Sequence, residues 1–82
     1  MNRNETLAVF AKNLKIRRIV AGYSQSELAR MAGGMTRAAI SKYEMGEKNP
    51  TLITVLALAK ALGTTVDGLL LPVDIKIGGE EA

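Results

Sequence analysis

The sequence contains no histidine and no cysteine. Their absence removes disulfides, zinc sites built from Cys and His, thiol nucleophiles and the usual Ser-His and Cys-His pairs. Aromatics are scarce: one Phe, two Tyr and no Trp among 82 residues. That argues against an aromatic platform for stacking bases. The eight acidic residues are scattered and form no cluster suited to carboxylate-only metal or acid/base work. No metal, no cofactor and no enzymatic reaction are expected. Long apolar runs are missing as well. The most apolar stretch, Leu52 to Leu71, is interrupted by Lys60, Gly63 and Asp67, and no apolar run precedes Lys12. A membrane span or a secretion signal is therefore not expected, and a cytoplasmic location is.

What is present is ordinary for a globular domain: 48% apolar and 23% charged residues, eight Gly and two Pro. The length suits one domain with a small core, whose stability can lean on a partner.

The formal charge of +3 conceals an asymmetry. Residues 1–48 carry nine bases against four acids, a balance of +5; residues 49–82 carry two against four, a balance of −2. A basic front half suits an anionic partner, nucleic acid first, although a generic soluble surface can show the same balance.

Apolar periodicity predicts five helices. From Glu5 to Ala21, residues Leu7, Phe10, Ala11, Leu14 and Ala21 share one face, and Gly22 ends the helix. Ser24 with Glu27 makes a capping box for a short helix from Gln25 to about Ala32, with Leu28, Ala29 and Ala32 inward. Gly33-Gly34 stops it. Thr36 caps a third helix through about Met45, with Ile40 and Tyr43 inward, and Gly46 closes it. Glu47-Lys48-Asn49-Pro50 is a turn. Thr51 caps a fourth helix, Leu52 to Leu62, with Leu52, Val55, Leu56, Ala59 and Leu62 inward. Thr65 caps a fifth, Val66 to about Leu71, and Pro72 stops it. Val73, Ile75 and Ile77 then alternate with Asp74 and Lys76 in a strand pattern before a Gly-rich, acidic end.

The second and third helices, joined by a Gly-containing turn, form a helix-turn-helix unit over about 24–45. At about 100° per residue, Arg37, Ala38, Ser41, Lys42 and Met45 lie opposite Ile40 and Tyr43. Such a face, slim and rich in donors, is what a helix entering the major groove needs, although a solvated helix face can look the same.

The spaced residues Ser24-Gln25, Glu27-Leu28-Ala29, Gly33, Ile40-Ser41, Tyr43-Glu44, Gly46, Asn49-Pro50, Leu58-Ala59, Ala61-Leu62-Gly63 and Leu69-Leu70 resemble the Cro/repressor-type helix-turn-helix proteins, the xenobiotic-response-element family. The resemblance covers roughly residues 7–71 and implies an all-α, five-helix, lambda-repressor-like DNA-binding domain over 1–72, with a tail over 73–82. It implies base contacts by Arg37, Ala38, Ser41 and Lys42. It implies phosphate-backbone contacts by Ser24, Gln25, Thr36, Lys48 and Asn49. It also implies a brace of the third helix by Gln25 and a structural pair, Arg18 with Glu44, fixing the third helix on the first.

Three departures stand out. Gly33-Gly34-Met35 makes the turn one residue longer than is usual, which puts the register of the base contacts in question. Val9, Ile16 and Val20 form a second apolar stripe on the first helix, and Ile53 and Ala57 are apolar on the fourth. The tail brings Val73, Ile75 and Ile77. The stripes and tail suggest a partner surface, either the tail folding back as a cover over the first or fourth helix or, as the favoured expectation, tails pairing between two subunits, although a disordered tail with scattered surface apolar residues fits the same pattern. The expected function is a transcriptional regulator, a repressor by preference. It would bind double-stranded DNA as a homodimer on a pseudo-palindromic operator, complete as a reader of one half-site and without a sensor domain. The antitoxin of a toxin–antitoxin pair, binding a toxin as well as DNA, and a protein-interaction adaptor on the same fold are the rivals.

Overall fold

The computed structural model describes residues 1–72, and these form five helices: α1 (Arg3–Ala21), α2 (Gln25–Met31), α3 (Arg37–Glu44), α4 (Leu52–Leu62) and α5 (Val66–Leu70). The fold is the all-α lambda-repressor-like arrangement. The proposed strand of Val73, Ile75 and Ile77 lies outside the described residues.

Every helix opens on a polar side chain that accepts a backbone N–H: Asn2, Ser24, Thr36, Thr51 and Thr65. Each cap satisfies one of the four orphan donors at a helix start and contributes about 1 kcal/mol. α1 begins two residues before apolar periodicity places it. Asn2 accepts from the Glu5 amide at 2.9 Å, and the Glu5 carboxylate accepts from the Asn2 amide at 2.7 Å. This reciprocal cap is written in the sequence as Asn-x-x-Glu, a polar signal to which periodicity is blind.

The core gathers one stripe from each helix: Phe10 and Leu14, Leu28 and Ala29, Ile40 and Tyr43, Val55, Leu58 and Ala59, and Leu69. The Phe10 and Tyr43 rings meet edge to face with centroids 6.1 Å apart. Such pairs add about 0.5–1.5 kcal/mol beyond area burial. This contact locks α3 to α1.

Three core assignments are corrected. Periodicity turns Leu52 and Leu56 inward, yet Leu52 is 73% exposed and Leu56 is exposed as well; Leu58 is fully buried instead. α4 is apolar on nearly all sides, so periodicity could not choose its face. The packing kept Val55 and Ala59 and added Leu58, a turn of about 40° around the helix. Ala21 is exposed because it ends α1 beyond the reach of the other helices.

Asn13 is a polar residue buried inside the domain. Its Nδ2 donates to the carbonyls of Leu69 at 3.1 Å and Leu71 at 2.8 Å, and Arg17 Nε donates to Gly68 O at 3.1 Å. These bonds satisfy carbonyls at the C-terminal end of α5, which a five-residue helix cannot pair internally. Asn13 also shows which way the second stripe of α1 faces. At helical spacing it falls between Val9, Ile16 and Val20, so the stripe meets α5 and is not free along its length. Val9 and Ile16 are half-buried, while Val20, one turn further, is 70% exposed.

Candidate nucleic-acid interface

The turn between α2 and α3 carries the extra residue. Gly33 and Gly34 adopt φ of +100° and +84°, a region that a side chain would strain. Met35 donates its amide to Ala29 O at 3.0 Å and packs its side chain on the core. Thr36 then caps α3 by accepting the Ala39 amide at 3.1 Å.

α3 turns Ile40 and Tyr43 into the core and its other side outward. Arg37, Ala38, Lys42 and Met45 are exposed and Ser41 is half-exposed. Ser41 Oγ donates to Met45 Sδ at 3.6 Å. The four residues expected to meet bases therefore share one accessible face.

The end of α3 is held by a polar network. Glu44 Oε2 accepts from Arg18 Nε at 2.6 Å, and Glu44 Oε1 accepts from Arg18 Nη2 at 3.1 Å and from Gln25 Nε2 at 3.0 Å. Arg18 Nη1 donates to Tyr23 O at 2.9 Å. One carboxylate thus joins α1, the α1–α2 turn, the start of α2 and the end of α3. The hydrogen bonds to Glu44, with its negative charge, raise the Arg18 pKa against a smaller desolvation cost. The Glu44 side chain is 4% exposed and that of Arg18 13%. An acid in the last turn of a helix opposes the helix dipole, and the guanidinium compensates it.

The residues expected to face phosphates lie at the surface around α3. Ser24 Oγ accepts from the Glu27 amide at 3.0 Å, and the Ser24 amide donates to Glu27 Oε1 at 2.7 Å. The Thr36 hydroxyl is engaged as an acceptor by its cap and keeps its O–H for an anion. Gln25 spends one amide hydrogen on Glu44 and keeps the other. Lys48 Nζ stands 5.5 Å from the centre of the Tyr43 ring, within cation–π range. Asn49 is exposed beside Pro50, on the wall of a groove shared with the start of α1. Among the partner-surface residues, Ile53 is 79% exposed. One role escaped the residue pattern: Asn13 as the anchor of α5. An Asn within an apolar stripe was the available signal.

Among the described residues no group of His, Cys, Asp and Glu could hold a metal ion, and no helix is long and apolar enough to cross a membrane.

Two short helices, a two-glycine turn and a braced outer helix with a basic, slim face define a helix-turn-helix domain. A family model described as helix-turn-helix matches residues 14–69. The chain belongs to that family, the Cro/C1-type DNA-binding regulators. It is 40% identical over 62 residues to a prophage-derived uncharacterized HTH-type transcriptional regulator of Bacillus subtilis, covering 76% of this chain and 56% of the relative. It is also 40% identical over 62 residues to the control protein C.SmaI of Serratia marcescens, covering 76% of this chain and 73% of the relative. The chain thus spans little more than half the length of the Bacillus protein. The P22 c2 repressor, solved in complex with a synthetic operator, superposes with a TM-score of 0.72 at 33% identity, covering 77% of this chain and 94% of the repressor chain.

Proposed function

We propose that this chain is a sequence-specific transcriptional regulator, acting as a repressor, that binds a pseudo-palindromic operator as a homodimer. The observation that carries the reading is the outer face of α3, with Arg37, Ala38, Ser41 and Lys42 accessible together and the helix held from behind by the Arg18–Glu44–Gln25 network.

The chemistry of each side chain follows from its place. Arg37, at the first position of α3, stands where a fork of N–H donors can reach guanine O6 and N7. Ala38 is small enough to let the helix approach and to rest on a thymine methyl. Ser41 and Lys42, one turn further along, reach a base edge or a phosphate. Ser24, Gln25, Thr36, Lys48 and Asn49 surround this face and supply phosphate contacts, which position the domain without reading sequence. The hydroxyl donor of Thr36 sits at a helix start, where the backbone dipole adds attraction for phosphate.

A single α3 reads only a few base pairs. Two copies related by a two-fold axis would place two such helices in successive major grooves, with half-site centres about 34 Å apart. Binding would then block or favour polymerase by position alone.

Selection of bound sequences from a random DNA pool tests the reading directly. An inverted repeat with half-sites one helical turn apart is expected, with affinity that falls steeply as salt rises. Binding without sequence preference, or no binding at low salt, would overturn it and favour a protein-interaction role.

A further inference from the structure

Met45 is the large apolar side chain on the outer face of α3. It stands one turn beyond Ser41 and is 61% exposed. Two bonds join the residues. The Met45 amide donates to Ser41 O at 3.0 Å, and Ser41 Oγ donates to Met45 Sδ at 3.6 Å. The turn that follows fixes the backbone here. Gly46 takes a φ of +72°, and the Glu47 amide donates back to Lys42 O at 2.9 Å. The thioether is thereby held within reach of the hydroxyl.

A serine hydroxyl has one hydrogen and two lone pairs. With the hydrogen directed at Met45, Ser41 shows only lone pairs to a ligand. Thr36 has the opposite polarity: its Oγ1 accepts from the Ala39 amide, and its hydrogen points elsewhere. Arg37 and Lys42, on the same face as Ser41, bring donors alone. Ser41 is therefore the acceptor that this face presents. In the major groove an acceptor is met by the amino groups at cytosine N4 and adenine N6. Guanine O6 and N7, thymine O4 and the phosphate oxygens are acceptors themselves and oppose it.

We infer that Ser41 reads an amino group, cytosine N4 or adenine N6, and that Met45 is the positioning residue that sets the polarity of its hydroxyl. The inference rests on the proposed entry of α3 into the major groove, and it narrows the target of Ser41 to one kind of base atom. The contact complements Arg37, whose donors suit guanine. Together they let the face read amino groups as well as base acceptors, which donors alone cannot do. A thioether is a weak acceptor, so removing it loosens the choice made by Ser41 and does not reverse it.

The test scans the selected DNA site with bases that lack single atoms. A pyrimidinone replaces cytosine and an unsubstituted purine replaces adenine, each deleting the amino group; a deazapurine deletes N7. The full chain is compared with Ser41→Ala, Met45→Leu and the double variant. Met45→Leu keeps the volume and loses the acceptor. Any weakening of the duplex itself is common to all four proteins and cancels between them. One amino deletion is expected to cost the unaltered protein about 3–10-fold in affinity and Ser41→Ala nothing. Met45→Leu is expected to feel the deletion less than the unaltered protein, and the double variant to behave as Ser41→Ala. If every amino deletion costs the unaltered protein and Ser41→Ala alike, Ser41 reads no amino group. A loss dependent on Ser41 that follows N7 makes it a donor and overturns the inference. Full sensitivity in Met45→Leu, or an effect of Met45→Leu that persists when Ser41 is already Ala, removes the positioning role of Met45. Absence of any base preference in the unaltered protein is a separate result, which overturns the operator reading and this inference together.

Discussion

Arg18 and Glu44 form a two-pronged ion pair across 26 residues of sequence, with Nε 2.6 Å from Oε2 and Nη2 3.1 Å from Oε1. The pair joins the scaffold helix to the last turn of the proposed reading helix. Because Glu44 is nearly solvent-free, removing Arg18 leaves a buried carboxylate with only Gln25 as a side-chain partner. Arg18→Ala is therefore expected to cost on the order of 3 kcal/mol, toward the lower end for a broken buried pair. Arg18→Lys is expected to recover only part of this loss, since an ammonium cannot present the fork. Urea unfolding of the two variants measures both values.

Arg37→Ala and Lys48→Ala should fail in different ways. Loss of Arg37 is expected to cost about 1–3 kcal/mol on the preferred sequence and to relax preference at one base pair. Loss of Lys48 is expected to weaken all sequences alike and to reduce the salt slope by about one. Binding isotherms on the selected site and on single-base variants, each at several salt concentrations, separate the two. An Arg37→Ala protein with unchanged base preference would remove Arg37 from the reading set.

Asn13 is a positioning residue for α5. Asn13→Ala takes away the donor that serves Leu69 O and Leu71 O, with an expected loss of about 1–3 kcal/mol. Asn13→Asp keeps the size but offers only acceptors when ionised, so it should be at least as damaging near neutral pH. Hydrogen exchange should show the loss first in the amides of α5, including Leu71, whose N–H donates to Asp67 O at 3.0 Å.

The capping box of α2 carries a pH dependence. Hydrogen bonds from Ser24, its backbone N–H first, hold the Glu27 carboxyl below the usual carboxylate range. A group whose folded pKa is depressed stabilises the fold fully above its unfolded pKa and loses that contribution as pH falls through the lower folded value. Stability from this box is thus expected to be complete above about pH 5 and to fade below about pH 4. In Glu27→Gln this component of the acid response should be absent, which acid titrations followed by circular dichroism would show.

Helix positions were legible because caps and stops are local chemistry. Ser24, Thr36, Thr51 and Thr65 each mark a helix start within the sequence, and Gly22 and Gly63 each mark an end in the left-handed region. The faces of α2 and α3 were legible too, because in each the apolar residues are few and sit on one side. The face of α4 was not. With Leu, Ile, Val and Ala on nearly every side, its sequence is compatible with several orientations, and only the shape of the space between α1, α2 and α5 selected Leu58 over Leu52. The candidate interface divides the same way. The outward set Arg37, Ala38, Ser41 and Lys42 follows from helical spacing alone, whereas the brace behind it, where residues of three helices meet at Glu44, was legible only through the family resemblance.

The absence of His and Cys, the basic front half, the capped helices and the helix-turn-helix spacing were all determined by the sequence itself, since each depends on residue type and short separations. The tertiary structure decided how distant residues meet. It gave the Gln25 brace its partner, Glu44, turned Asn13 from an anomaly in an apolar stripe into the anchor of α5, and half-buried Val9 and Ile16 while leaving Leu52 and Ile53 open. Such contacts are set by the packing of five elements at once, and no local pattern encodes which of several apolar faces the core will take.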